Sequence, residues 1–266
     1  MVKGLNRFKQ HFAPFTDRYV LIGGTACLLA MQEAGLNFRA TKDLAIVLCV
    51  EALDKEFGKA FWQFVKDGGY QQQQQSTGKK LFYRFNKPSH PDYPEMIELF
   101  SRIPEVIEIS DETHLTPIPI DDEISSLSAI LLDKVYYQFI HSGKREIEGL
   151  SVVGAEHLIP LKARAAIDLS EKRITGANID KKIIRKHKND IFRLYQLLAS
   201  NQRIELAPSI KQDMQKLLDE LKNDDSFELK DLGLKNTTLN EVINSLVQIY
   251  SIDNELKNES LILTAP

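Results

Sequence analysis

The chain has 266 residues, of which 43% are hydrophobic and 27% are charged. These proportions are typical of a soluble globular protein and exclude a disordered chain, and the length predicts one large domain or two joined lobes. The net charge of −3 is unevenly distributed, because residues 162–193 hold ten Lys/Arg against four Asp/Glu, and residues 201–266 hold seven against twelve. The basic segment is either a solvated helix face or a surface for a polyanion such as a nucleoside triphosphate or RNA.

The first half of the chain alternates β-rich and helical patterns. Apolar periodicity predicts strands at residues 19–22, 43–50, 81–86 and 95–100, and helices at about 25–34 and 52–67. The glutamine-rich stretch "GGYQQQQQSTGKK" is of low complexity and predicts a mobile loop or a hairpin tip. We therefore expect an α/β (α+β) fold.

The second half of the chain shows helical spacing of its apolar residues from about residue 125 onward. Several prolines lie in the segment before it, which predicts an approximate lobe boundary near residues 120–125. The sequence thus predicts a mixed-sheet lobe in residues 1–122 and a helical lobe in residues 123–266, with a cleft between them.

The location and some site chemistries can also be judged from the sequence. Cys27 and Cys49 lie in apolar segments, which favours buried free thiols in a reducing compartment. No run approaches the roughly 20 apolar residues of a membrane span, and the first residues lack a signal-peptide pattern. We expect a cytoplasmic protein. The histidines lack zinc-ligand spacing, and no GxSxG motif supports acyl-transfer hydrolysis.

The segment "IGGTA" lies between the first predicted strand and helix. Gly23 and Gly24 let the backbone approach a ligand, and the free amide groups at a helix start favour phosphate. Thr25 is either the N-cap residue or a phosphate ligand. The segment matches neither the P-loop nor the dinucleotide-binding glycine motif.

The strand "DLAIVLCV" places Asp43 and position 45 on one face, because side chains alternate along a strand. Two carboxylates at this spacing can share divalent ions, as two-metal phosphoryl transfer requires. Position 45 is instead Ala45. In "EMIELF", Glu98 has apolar neighbours on both sides, so it is either a third acidic site residue or an acid on an edge strand.

These residues resemble a known family. Gly23, Gly24 and Thr25, followed by "RATKDLA" at Arg39 to Ala45, are similar to the GG[ST]…RxTxD[IL]D signature of AbiEii/AbiGii-like nucleotidyltransferases, a toxin branch of the polymerase-β-like superfamily. "GLSVVGAEHLIPLKARAAIDL" and "KHKNDIFRLYQLL" resemble the helical block of that family, whose lysine maps to Lys162 and whose aspartate maps to Asp190. The resemblance covers roughly residues 18–200.

The resemblance implies a role for each matching residue. Gly24 and Thr25, with Gly23 in the same turn, would grip a triphosphate, and Asp43 would hold Mg²⁺ with Glu98 as the third acid. Lys162 would neutralise phosphate charge, and Asp190 would lie near the transferred nucleotide or orient the attacking group. From the residues alone, Lys162 could instead snorkel from an apolar helix, and Asp190 could cap a helix.

The implied reaction is Mg²⁺-dependent transfer of a nucleoside monophosphate from a triphosphate to an acceptor hydroxyl. The tRNA 3′ end is the first candidate acceptor, with protein hydroxyls and small molecules as alternatives, and an antitoxin protein is a possible partner. Ala45 departs from the family pattern, because a methyl group binds no cation. Either an engineered aspartate-to-alanine change has disarmed a toxin, or the chain is a natural, catalytically degenerate scaffold that acts as a binding protein. A purely structural protein would leave "GGT" and "RATKD" unexplained together.

Overall fold

The computed structural model describes residues 2–41, 43–48, 55–77, 80–101, 133–224 and 226–252. Its first half confirms the predicted alternation of strands and helices. The elements of this half are α1 (Leu5–His11), β1 (Tyr19–Ile22), α2 (Gly23–Glu33), β2 (Asp43–Leu48), α3 (Lys55–Gly68), β3 (Gln71–Thr77), β4 (Lys80–Asn86) and β5 (Met96–Ser101). The predicted fold class, a mixed α/β protein, is therefore correct.

The glutamine-rich stretch is not a loop. It forms β3, which pairs antiparallel with β4 from Gln71 opposite Asn86 to Thr77 opposite Lys80. The stretch is one arm of the β3–β4 hairpin, and the tip of that hairpin, at residues 78–79, lies outside the described residues. The loop alternative failed because composition reports complexity and polarity, whereas a strand at the edge of a sheet is stabilised by backbone hydrogen bonds that any residue except proline can make.

The second half contributes helices and also two strands. Its elements are α4 (Lys134–Ser142), β6 (Lys144–Ile147), β7 (Leu150–Val153), α5 (Ala155–Ile174), α6 (Lys181–Tyr195), α7 (Pro208–Lys222) and α8 (Leu239–Ile249). The expectation of a purely helical second half missed β6 and β7, which are only four residues long each. The predicted boundary at residues 120–125 lies outside the described residues.

One seven-stranded sheet joins the two halves, in the order β3-β4-β5-β2-β1-β7-β6. β2 runs parallel to β5 and antiparallel to β1, and β1 runs parallel to β7. The sheet is therefore mixed, and β2 and β5 lie in its interior. Glu98, on β5, is thus not an edge-strand acid.

An aromatic cluster from α1 and α3 covers one face of the sheet. Phe8 packs edge-on against Tyr19 of β1, and Phe61 of α3 packs against Phe85 of β4, with ring centroids 5.3 Å and 5.6 Å apart. Because side chains alternate along each strand, the residues next to Phe85 point to the opposite face. That opposite face carries the candidate site.

Cys27, on α2, is buried and carries a free thiol, as predicted, and burial raises the pKa of that thiol to about 11. Cys49 lies outside the described residues. No helix in the described part of the chain is long and apolar enough to span a membrane.

Candidate active site

A cavity of about 110 Å³ lies between α5 and the face of the sheet that is opposite the aromatic cluster. It brings together most of the residues that the sequence singled out from distant segments. The predicted residues in its wall are Gly23, Gly24, Asp43, Ala45, Glu98 and Lys162. The strand-to-helix turn at the start of α2 and the central strand β2 therefore meet the helical half of the chain at one place.

A row of side chains crosses four strands at the floor of this cavity. In register, Ile22 of β1 lies opposite Ala45 of β2, Ala45 opposite Glu98 of β5, and Glu98 opposite Arg84 of β4. All four residues line the cavity. Asp43 precedes Ala45 by two residues and lines the same cavity, as strand alternation predicts. Ala45 is therefore flanked by Asp43 along its own strand and by Glu98 on the next.

Glu98 forms an ion pair with Arg84, which the sequence analysis did not identify. The Glu98 Oε1 atom accepts hydrogen bonds from Arg84 Nη2 at 2.8 Å and Nε at 3.2 Å. Only 12% of the Glu98 side chain and 21% of the Arg84 side chain are exposed. A partly buried, doubly hydrogen-bonded guanidinium fixes the carboxylate and neutralises its charge.

The residues of the cavity do not fit a divalent cation in this chain. Magnesium is held through carboxylate oxygens, and the resemblance implies acids at positions 43, 45 and 98. Ala45 offers no oxygen, and Glu98 already holds the Arg84 guanidinium. In keeping with this, the described residues contain no group of three or more His, Cys, Asp and Glu side chains that could hold a metal ion.

The start of α2 is shaped for a close approach of other backbone and ligand atoms. Gly23 has a φ of +68°, in the left-handed region that glycine adopts without strain. A Cβ atom on Gly24 would overlap the Thr41 hydroxyl, so only glycine leaves room there for Thr41. The first amide groups of a helix have no partner within it, and they favour an anion. The turn predicted from "IGGTA" is therefore present and borders the cavity.

Thr25 has neither of the roles predicted for it, N-cap residue or phosphate ligand. Its side chain is fully buried, and its hydroxyl donates a hydrogen bond of 2.6 Å to the backbone carbonyl of Asp43. The residue before α2 is Ile22, so Thr25 is not the N-cap either. The Thr25 hydroxyl therefore connects α2 to the start of β2 and does not face a phosphate. This hydrogen bond fixes the position of Asp43.

Asp190 lies in the middle of α6 and is completely buried, so it is not a helix cap; Asp180 has that role. Its carboxylate accepts hydrogen bonds from Arg39 Nε at 2.8 Å and Nη2 at 2.7 Å, and from Lys162 Nζ at 3.0 Å. Arg193 Nη1 lies 3.5 Å from the same carboxylate. Asp190 therefore holds two cations that line the cavity, Arg39 and Lys162.

Charge and burial act in opposite directions on this cluster. Burial alone would raise the pKa of Asp190, but the charges and hydrogen bonds of Lys162 and Arg39 outweigh it and hold the pKa well below its usual range. For Lys162, burial would lower the pKa, yet nearby negative groups including Asp190 raise it above its usual value. Lys162 is thus a buried, charged residue and does not snorkel to solvent.

Arg39 and Arg84 are the site residues that the sequence analysis did not assign a role. Arg39 belongs to the "RATKD" segment that carries the resemblance, so its presence was visible but its partner was not. Arg84 lies between Tyr83 and Phe85, and a charge between aromatic residues of a strand was the available signal. Its pairing with Glu98 depends on the strand order, which periodicity does not reveal.

A second, wider groove of about 700 Å³ borders the cavity and shares Arg39 and Lys186 with it. Eight basic residues line this groove together with Asp224. They are Arg39, Arg173, Lys181, Lys182, Arg185, Lys186, Lys188 and Arg193. Their described ion pairs join Arg39 and Arg193 to Asp190, Arg185 to Asp224 at 3.5 Å and Lys188 to Glu220 at 3.2 Å. The basic segment noted in the sequence therefore forms a groove that leads to the cavity.

No protein-family model matches this chain, and no curated protein matches it. Among solved structures, it is similar to an antigenic nucleotidyltransferase-like protein from Paracoccidioides brasiliensis, with a TM-score of 0.44 and 14% identity over 92% of this chain and 94% of that one. It is also similar to JHP933 from Helicobacter pylori, with a TM-score of 0.32 and 17% identity over 98% and 93% of the two chains. A third structure, the Megavirus polyadenylate synthase, gives a TM-score of 0.39 and 12% identity over 83% of this chain and 36% of that one. At such identities and TM-scores these likenesses assign the chain neither a family nor a function, and the AbiEii/AbiGii-like resemblance stays a prediction.

Proposed function

We propose that this chain has the scaffold of a nucleotidyltransferase toxin that binds a nucleoside triphosphate in the cavity, and that Ala45 disables its transfer chemistry. The observation that carries the proposal is the cavity itself. It gathers the turn at Gly23 and Gly24, the acids Asp43 and Glu98, and the buried Lys162 from four separate elements of the chain.

The cavity suits a polyphosphate on electrostatic grounds. Four basic residues line it, Arg39, Arg84, Lys162 and Lys186, against two acids. The helix start at Gly23 adds amide donors and the positive end of the dipole of α2. A triphosphate lying across the turn would place its charge between these amides and Lys162, whose position is fixed by Asp190.

The proposed reaction transfers a nucleoside monophosphate. The oxygen of an acceptor hydroxyl forms a bond to the α-phosphorus, the bond from that phosphorus to the oxygen bridging to the β-phosphate breaks, pyrophosphate leaves, and the hydroxyl proton passes to solvent. Lys162 would stabilise the negative charge that develops on the phosphates. Ala45 provides neither a metal ligand nor a base at the position between Asp43 and Glu98, so the chain as it stands should transfer slowly or not at all.

The basic groove supports RNA as the acceptor. Proteins bind nucleic-acid backbones with clustered Lys and Arg, and this groove meets the cavity at Arg39 and Lys186. An RNA strand lying in the groove would bring its 3′ end towards the bound triphosphate. The tRNA 3′ end is our first candidate acceptor, protein hydroxyls and small molecules are the alternatives, and an antitoxin protein is the proposed partner of the toxin.

One observation favours a second candidate, a catalytically degenerate scaffold that acts as a binding or partner protein. The Arg84 guanidinium forms an ion pair with Glu98, the acid that lies opposite Ala45 on the neighbouring strand. A site that has lost one carboxylate and has neutralised another is adapted to hold a ligand more than to transfer it. This candidate and the disabled toxin differ in what an aspartate at position 45 would do.

The test compares the Ala45→Asp and Ala45→Asn variants. Each is incubated with labelled triphosphates, Mg²⁺ and total cell extract, and the label is then sought in RNA, protein and small molecules. With aspartate, three carboxylates would face the cavity, so we expect label in RNA at about a hundred to a thousand times the rate of the original chain. Asparagine adds nearly the same volume without the charge and should leave transfer at the original level.

Label found in protein or in a small molecule would show that this class of molecule, and not RNA, is the acceptor. If Ala45→Asp transfers nothing to any acceptor, the toxin proposal fails and the scaffold becomes the better account.

A further inference from the structure

We propose that the cavity binds a polyphosphate without a divalent cation, and that the Arg84 guanidinium replaces a metal ion as the partner of Glu98. This inference rests on the proposed function in one respect, because both take a nucleoside triphosphate as the ligand of the cavity. It concerns the chain as it stands, with Ala45, and it predicts a binding property that a metal-dependent transferase would lack.

The geometry of the sheet carries the first step. Arg84, Glu98 and Ala45 are directly opposite one another on three neighbouring strands, and all face the cavity. A metal ion shared by residues 43, 45 and 98 would need the Glu98 carboxylate as a ligand. The group that binds this carboxylate in the structure is a guanidinium, at 2.8 Å from Nη2. A fixed positive charge is therefore already bound to one of the carboxylates that such an ion would need.

The charge balance of the cavity gives the second step. A carboxylate at position 45 would bring the lining acids to three and would repel a triphosphate unless cations intervened. With alanine there, the four basic side chains outnumber the two acidic ones, and they still outnumber the acids by one when the buried Asp190, which holds Arg39 and Lys162, is counted as well. Of the acids, Glu98 is neutralised by Arg84, so only Asp43 opposes an incoming anion with a charge that no described ion pair balances. Bound cations are thus not required to make the cavity attractive to phosphate.

The chemistry of arginine gives the third step. Its guanidinium remains protonated throughout the working pH range and presents N–H donors in a planar arrangement that matches phosphate oxygens. Burial strengthens such a contact, since solvent screens it less. Unlike Mg²⁺, this cation belongs to the chain and cannot be removed by a chelator.

The test is a calorimetric titration of the unaltered protein with ATP, GTP, CTP, UTP and inorganic triphosphate, once with EDTA and once with Mg²⁺. We expect at least one of these probes to bind in EDTA, and no more weakly than with Mg²⁺, because the metal lowers the charge of the triphosphate without gaining ligands in the cavity. Arg84→Gln should weaken that binding about ten- to a hundredfold, as the loss of a charged hydrogen bond does.

The matched control is Arg145→Gln. Arg145 is also a strand arginine paired with a glutamate, Glu33, at 2.7 Å, but it does not line the cavity, so its loss should leave binding unchanged. Arg84→Lys keeps the charge without the planar donors and should fall between the original protein and Arg84→Gln, which covers the case that glutamine unfolds the chain. Urea denaturation of each variant reports its folding.

Binding that disappears in EDTA, equal binding by Arg84→Gln and Arg145→Gln, or binding of no probe in either buffer would overturn the inference. The outcome is separable from that of the proposed function. If the original chain needs Mg²⁺ while Ala45→Asp transfers label, the inference fails and the function stands. If the original chain binds in EDTA while Ala45→Asp transfers nothing, the inference stands and the proposed function fails.

Discussion

Replacing Asp190 by alanine is expected to lower the free energy of unfolding by about 3 to 5 kcal/mol. The reason is that Asp190 is completely buried and holds Arg39 and Lys162 within 3.0 Å, so its removal leaves a buried ammonium without its carboxylate. Isolated charges of this kind are among the most destabilising changes in a protein interior. Chemical denaturation with urea measures the effect.

The matched control for this prediction is Glu33→Gln, which breaks the exposed ion pair with Arg145. Both partners of that pair are more than 40% exposed, so its loss should change the free energy of unfolding by at most about 1 kcal/mol. A loss for Asp190→Ala as small as that of Glu33→Gln would show that the buried cluster is not a structural element of the site.

The Asp190 carboxylate also predicts the direction in which the stability of the protein changes with pH. The pKa of Asp190 is depressed in the folded protein, so its stabilisation is complete above the unfolded value of 3.8 and is lost as the pH falls towards the lower folded value. Asp190→Asn lacks this titration. We therefore expect the difference in stability between the original protein and Asp190→Asn to shrink as the pH is lowered below about 4.

Induction of the Ala45→Asp variant in bacteria is expected to arrest growth, whereas the chain with Ala45 should be tolerated. The physical reason is that aspartate at this position completes an acidic group with Asp43 and Glu98 on one sheet face. Restored transfer to an RNA that translation needs would stop growth at low enzyme levels. Colony counts after induction give the measurement.

Second-site changes show whether the arrest comes from the cavity. Adding Asp43→Asn or Lys162→Ala to Ala45→Asp should restore growth, since each removes one group from the proposed site. Lys216→Ala is the control, because Lys216 pairs with Glu171 on the exposed surface of α7 and does not line the cavity. Immunoblots must show equal soluble protein in all strains. Arrest that persists in Asp43→Asn at equal protein levels contradicts the account.

Local patterns predicted the parts of the site that depend on one segment. Alternation along β2 placed Asp43 and Ala45 on one face, and the glycine pair marked the turn before α2, because both features follow from the backbone geometry of a few residues. The strand-to-helix pattern likewise gave the bounds of β1 and, within three residues, those of α2, β2 and α3. These elements have strong, uninterrupted apolar patterns.

Features that depend on distant segments were missed. Arg84 reaches Glu98 only because β4 lies next to β5, and β7 joins the sheet beside β1 across more than a hundred residues of sequence. Thr25 looked like an exposed donor because the sequence does not show that β2 passes close enough for its hydroxyl to reach the Asp43 carbonyl. Strand order and register are set by tertiary packing, and periodicity in a single segment carries no information about them.

The most direct test of the central claim, that the cavity is a nucleoside triphosphate site, is a crystal structure of the unaltered chain with a non-hydrolysable triphosphate analogue. The account predicts the analogue inside the cavity, with its phosphates within hydrogen-bond distance of the amides at Gly23 and Gly24 and of the Arg84 guanidinium. An analogue that binds elsewhere on the protein, or an empty cavity in a crystal grown at a saturating concentration of the analogue, would contradict it.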